Sequence, residues 1–300
     1  MCASCHSPRR LLTQFAAALL AVVASRFAAA AISDVGVYTS PVRSFSTASY
    51  WIEGVDGVVL IDTQFLPEEG VQAVEMAERA TGKKVVTAIV LHPNPDKFNG
   101  TAALQARGIR VITSTQVKAL IPAVHEIRLG WFFDQYAPDY PKLSAVPDAF
   151  GDRSTDLNVA GITLKLHVVG RGASGAHVLV QHGDRVFVGD LINPENHAWL
   201  ELGLIDEWLT RLDEIRAMQP AVVYPGRGKA GDAALIKKQA DYLLDVQRRV
   251  QETLQPGEIG MFSKLLLQRG VEAAYPQLGY PIFVRDGLAA VWRAEQAKRK

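Results

Sequence analysis

Residues 85–91, Val-Val-Thr-Ala-Ile-Val-Leu, hold one polar side chain, and a motif dense in polar groups, 92–100, follows at once. A strand with no polar face must be covered on both sides, so it belongs inside a layered α/β structure. The chain around it fits that demand. Residues 35–40, 46–53 and 57–62 are rich in Val, Ile, Thr and aromatics and read as strands. Residues 67–81 read as a helix, with Pro67 near its start, two Glu in its first turn and Gly82 just past its end. A helix over 101–107, a strand over 110–114 and a helix beginning near Thr115 come next. Residues 129–156 hold Trp131, Phe132, Phe133, Tyr136 and Tyr140 with little periodicity and read as a long loop, either covering a site or packed as a surface excursion. Strands are expected at 162–169, 177–181, 185–188 and 221–224. Helical spacing recurs at 205–218, from Asp232 toward Leu254, and through the tail from Gly260.

The first 31 residues stand apart. Arg9 and Arg10 precede an apolar run over 11–25, and Ala28 to Ala31 offer a small-residue cleavage site, the pattern of a removed signal peptide. The run is too short for a stable transmembrane anchor, which needs about 20 apolar residues. The paired arginines hint at twin-arginine export, so a periplasmic or secreted location is expected. Cleavage removes three arginines and no acids: 32 basic residues less three, against 31 acids, leave −2. Neither charge makes a case for nucleic acid. Cleavage also removes Cys2 and Cys5. Cys2-Ala3-Ser4-Cys5-His6 spells a c-type haem motif, but it lies ahead of the apolar run and is cut away. The mature chain is left without thiols, hence without disulfides or zinc–thiolate sites.

Leu91-His92-Pro93-Asn94-Pro95-Asp96-Lys97-Phe98-Asn99-Gly100 sits between a buried strand and a helix, where strand ends open onto ligand sites. Val58-Val59-Leu60-Ile61-Asp62 precedes it. Val188-Gly189-Asp190-Leu191 and Tyr224-Pro225-Gly226-Arg227-Gly228 follow downstream. In this order the segments resemble the metallo-β-lactamase superfamily. That resemblance implies an αββα sandwich of two mixed sheets flanked by helices. Residues 32–255 would form that domain, with 256–300 a C-terminal helical extension packed on it.

The resemblance also implies seven ligand positions for one or two zinc or iron ions. His92, Asp96 and Asp190 keep ligating side chains, and Asp62 is implied to support them from behind. Asn94, Lys97, Ala173 and Arg227 stand where the family places histidines. A catalytic zinc site needs about three protein ligands and an open position for water, and Lys97 and Arg227 offer no lone pair while protonated. Two buried carboxylates without a cation would be costly. An ion-pair cluster of Asp96, Arg227, Asp190 and Lys97 is therefore expected in place of the second metal; the plainer alternative sends Lys97 or Arg227 to solvent. His197, beside Trp199, is a candidate for the cavity lining. His177 reads as a strand residue, and His125, His167 and His182 as ordinary surface residues.

Two glycine patterns are decoys. In Gly170–Gly175 a strand follows where a dinucleotide site needs a helix. After Gly226–Gly231 no acid-ended strand follows. Backbone N–H groups near the latter, with Arg227 and Lys229, remain a candidate anion site.

Two function classes follow. One is a metal-poor relic of a hydrolase, a candidate pseudoenzyme without cofactor, that binds a small molecule, anions included, or a periplasmic protein partner. The other is a working hydrolase with one divalent metal (zinc, manganese or iron) on His92, Asp96 and Asp190, activating water against an ester, lactone or amide. A metal-free base pair of His92 and Asp96 is a third route. No G-x-S-x-G elbow supports a serine nucleophile.

Overall fold

The computed structural model describes residues 35–299. The expected signal segment, 1–31, lies outside the described residues. Eleven strands form two sheets among them. The first has the order β1-β2-β3-β4-β5-β6, with β1 (Val35–Thr39), β2 (Ala48–Glu53), β3 (Val58–Ile61), β4 (Val85–Ile89), β5 (Arg110–Thr113) and β6 (Asp148–Ala149). Antiparallel pairing through β3 gives way to parallel pairing from β3 to β6. The second runs β11-β10-β9-β8-β7, with β7 (Thr155–Val159), β8 (Ile162–Val169), β9 (His177–His182), β10 (Arg185–Gly189) and β11 (Val222–Pro225). Only its β10–β11 pair is parallel.

Side-chain alternation explains the layering. Along β9 and β10, Val178, Val180 and Phe187 join the core between the sheets. Leu179, Val186 and Val188 join a second core beneath helices. Both faces of the sheet are buried, so these strands lack the polar alternation of a solvent-facing sheet. Helices α1 (Pro67–Thr81), α3 (Thr101–Ala106) and α4 (Thr115–Tyr136) send Ala73, Val74, Ala77, Leu104, Val117 and Ile121 into the first core. Helices α5 (Ile205–Ala217), α6 (Ala234–Thr253), α7 (Met261–Ala274) and α8 (Pro281–Ala297) cover the other sheet. Trp208, Leu243, Val271 and Trp292 meet there. The layers run helix, sheet, sheet, helix. No helix among the described residues is long and apolar enough to cross a membrane.

Two sequence expectations change. Residues 129–136 are not loop but the last two turns of α4. Leu129, Phe132, Phe133 and Tyr136 find apolar partners around Phe65 and Tyr140, and tertiary packing outweighs their weak periodicity. Strand β7 falls where loop or turn was expected: it pairs with β8 across Ala160-Gly161, both at positive φ, and its exposed polar residues hid the pattern.

Candidate active-site region

The chain turns sharply at the carboxyl ends of β3, β4, β10 and β11, and each turn delivers one part of a buried cluster. Asp62 takes a left-handed conformation (φ 65°) just past β3, a region Asp enters more readily than most residues. Its Oδ1 accepts from the Leu91 amide at 2.9 Å, tying the end of β3 to that of β4. The short helix α2 (Pro95–Phe98) carries Asp96 and Lys97 inward. Gly100, just after it, lies against the Thr63 carbonyl, where a Cβ would stand 2.0 Å from the oxygen.

Arg227 reaches across from the end of β11. Its guanidinium donates to Asp190 Oδ2 at 2.5 Å, to Asp96 Oδ2 at 2.6 Å and, through Nε, to the Phe45 carbonyl at 3.0 Å. Lys97, with no exposed surface, puts Nζ 3.0 Å from Asp96 Oδ2, 3.1 Å from Asp190 Oδ1 and 3.8 Å from Asp62 Oδ2. Thr47 Oγ1 donates to Asp96 Oδ2 at 3.3 Å. Gly226 permits the approach, since a Cβ there would meet Asp190 Oδ1 at 2.2 Å and Lys97 Nζ at 2.9 Å. The plainer alternative, with either cation swung out to solvent, does not occur.

The electrostatics follow from burial set against pairing. Burial works to raise the Asp96 and Asp190 pKa values, yet Arg227 and then Lys97 outweigh it. Asp96 is held below the ordinary carboxylate range and Asp190 well below it. For Lys97, burial pulls downward, but Asp190, Asp96 and Asp62 together hold its pKa above that of a free lysine. Arg227 is likewise raised by Asp190 and Asp96 against its burial. Asp62 is the exception: burial dominates, Lys97 offsets it only in part, and the carboxyl is pushed up to about 7.

His92 lies at the back of the cluster, fully buried, with Nε2 3.6 Å from Asp190 Oδ2 and no hydrogen bond on either ring nitrogen. It does not line the open cleft, so a substrate there has no contact with the imidazole. The expected His92–Asp96 base pair does not form; His92 faces Asp190 instead. Sequence reasoning underrated His177. Its ring sits 5.2 Å from that of His92, and Nε2 accepts from the Ser174 amide at 2.9 Å. Burial, followed by His92, lowers its pKa well below the usual value, and it stays neutral. The signal was present: His177 opens a strand whose next three residues, Val178, Leu179 and Val180, are apolar and fully buried.

Two expected lining residues lie elsewhere. His197 points at α6, with Nδ1 3.0 Å from the Tyr242 hydroxyl, because the loop after β10 packs it onto the helix layer. Ala173 is buried in the helix-side core beside Leu191 and Trp208. His125, expected at the surface, is buried and stacks on Tyr140. At the candidate anion site near Gly226, Arg227 is committed to carboxylates, and the Lys229 amide donates to Glu195 Oε1 at 3.2 Å.

Above the cluster opens a cleft of about 150 Å³. Asn94, Asp96, Asp190 and Arg227 reach it from the floor. Phe45, Phe65, Phe132, Trp131, Trp199 and Phe283 form its wall. Most of this wall was beyond sequence reasoning, because its rings come from five separated segments.

Comparison with known proteins agrees with this architecture. Metallo-beta-lactamase type 2 proteins of Bacillus sp. (strain 170) and Bacillus cereus are 24% and 22% identical to this chain over 196 residues each. Those matches span 62% of this chain and 68% and 69% of theirs. The solved metallo-beta-lactamase from Pontibacter korlensis superposes with a TM-score of 0.58 at 20% identity, over 71% of this chain and 96% of that one. FIM-1 from Pseudomonas aeruginosa, in its mono-zinc form, gives a TM-score of 0.53 at 18% identity, over 70% and 89%. These structures share the fold. The sequence profile of the metallo-beta-lactamase superfamily matches residues 42–227, from the turn before β2 to the arginine that closes the ion-pair cluster, and this chain belongs to that superfamily.

Proposed function

We propose that this chain is a metal-independent binding protein for a small molecule, a hydrolase scaffold whose metal position is filled by its own cations. The observation that carries the reading is Arg227 bridging Asp96 and Asp190 while Lys97 contacts both from beneath. The donor set does not fit a divalent ion. Each carboxylate that would ligate it is already ion-paired, and the positions implied for four histidines hold Asn94, Lys97, Ala173 and Arg227. An arriving ion would have to displace a guanidinium that cannot become neutral and then sit beside two positive charges. The interior cations make the same electrostatic contribution to the carboxylates as a metal would, without an open coordination position. Export to the periplasm belongs to the same proposal and rests on residues 1–31.

Metal analysis of the purified mature chain, dialysed against zinc, manganese and iron in turn, tests the reading. Metal content well below one ion per chain is expected for each. The quadruple variant Asn94→His, Lys97→His, Ala173→His, Arg227→His serves as the comparison and should gain metal. Near-stoichiometric metal in the unmodified chain would sink the proposal and favour the mononuclear hydrolase on His92, Asp96 and Asp190.

A further inference from the structure

The cleft differs in chemistry from the cluster beneath it, and together they limit what can bind. Its volume, about 150 Å³, is that of an apolar cavity able to take up one benzene-sized ring. Six aromatic side chains surround it, and Phe65 sits at their centre, with ring centroids 5.1 Å from Phe45, 5.2 Å from Phe132 and 5.0 Å from Tyr136. Such a wall favours a ring or another compact apolar group.

The charges at the cleft are committed. Arg128 pairs through both terminal nitrogens with Glu201, one contact at 2.9 Å, and lies 4.1 Å over the Trp131 ring. Arg227 is spent on Asp96, Asp190 and Phe45. At the rim, Asp286 is paired with Arg285 at 2.7 Å. Among the described residues that line the cleft, no cation is left free for an anion. Acceptors, in contrast, are in surplus. In the buried cluster Asp96 and Asp190 match the charges of Lys97 and Arg227, and Asp62 is a third carboxyl beyond those pairs, so the cluster carries no net positive charge. Among the described residues, Asp96 takes its hydrogen bonds on Oδ2, and no bond is made by its Oδ1 or by the Asn94 amide. Both residues line the cleft. An ammonium would supply hydrogen-bond donors to these acceptors and lie among ring faces that attract cations.

We propose that the cleft binds a ring-bearing primary amine in its ammonium form, the ring held by the aromatic wall and the ammonium by Asp96 and Asn94, and that it discriminates against carboxylates of the same shape. This deepens the binding function above and rests on it, because a divalent ion between the carboxylates would reverse the sign of the site.

Benzylamine, benzyl alcohol and benzoate are matched probes. Each is titrated at neutral pH into the full mature chain after treatment with EDTA, with calorimetry and tryptophan fluorescence as readouts, since Trp131 and Trp199 line the cleft. Saturable benzylamine binding is expected, with benzoate at least about tenfold weaker, which is about 1.4 kcal/mol, and benzyl alcohol between them. Trp131→Ala should weaken benzylamine several-fold while leaving the melting temperature unchanged. Benzoate binding as tightly as benzylamine would overturn the inference while leaving metal independence intact. So would the absence of saturation by any probe up to on the order of 10 mM, a range that covers weak sites. Unchanged affinity in Trp131→Ala would overturn the assignment to this cleft. Benzylamine binding that EDTA abolishes and zinc restores would instead overturn metal independence itself.

Discussion

The floor and the wall of the cleft, a few ångströms apart, are held by opposite physics. The floor is polar and almost fully buried: Asp62, Asp96, Lys97, Asp190 and Arg227 are each less than 5% exposed. Each charge is tolerable only because a partner stands within 4 Å, and removing one partner leaves another stranded. The wall is apolar and built of satellite contacts, with Trp131 about half exposed. Its exposed parts, such as Trp131, can be removed one at a time at modest cost, and only its buried centre, Phe65, costs more. The floor therefore behaves as one object and the wall as a set of separable side chains.

The largest effect that tests this contrast comes from Arg227→Ala. It strands Asp96 and Asp190 in the interior, and a loss of about 3–5 kcal/mol is expected, read by urea denaturation. A loss below about 1 kcal/mol would show that the floor does not depend on its cations. Phe65→Ala removes the ring at the centre of the wall and should cost about 3 kcal/mol, the lower end for a buried Phe. An equal or larger loss than Arg227→Ala would erase the distinction between the regions. Gly226→Ala pushes a methyl group onto Asp190 and Lys97, and a loss of about 1–3 kcal/mol is expected from overpacking. Wild-type stability at this position would mean that the strand end relaxes freely.

A smaller effect separates Asp62 from the other two carboxylates. Asp96 and Asp190 have depressed pKa values in the folded state, so their contribution is present above the ordinary carboxylate pKa near 4 and is lost as pH falls further. Asp62 has the opposite sign. Its raised pKa, about 7, gives a contribution that is full below about pH 4 and lost as pH rises through 7. Asp62→Asn should therefore flatten the decline in stability between roughly pH 4 and 7, as followed by unfolding at several pH values. A slope unchanged by the substitution would refute this assignment. The smallest effect is expected from Trp131→Ala, within about 0.5 kcal/mol for a half-exposed side chain, checked by thermal melting.

Much of the floor was legible in the sequence because it lies on short segments beside recognisable strands. His92, Asp96 and Lys97 share one motif. Asp190 and Arg227 each end a strand with a glycine beside it, and such turns carry a readable signature. The wall was legible only in the aromatic segment that holds Trp131 and Phe132. Phe45, Trp199 and Phe283 lie far apart along the chain, and nothing local to any of them distinguishes a cleft ring from an ordinary core ring. The misplacement of His197 and the underrating of His177 have the same cause. Alternation along a strand gives the side of the sheet, but the choice of which residue faces a neighbouring loop depends on how that loop packs.

The sequence by itself determined the layered α/β architecture, the superfamily and the identity of the charges at the strand ends, because periodicity, glycine turns and charge type are local properties of the chain. The ion-pair cluster was an expectation with an open alternative; tertiary structure alone decided that both cations turn inward, that His92 is withdrawn behind Asp190, and that distant aromatic rings close over the cluster. Those outcomes depend on through-space burial and pairing between segments far apart along the chain, for which a linear chain carries no local mark.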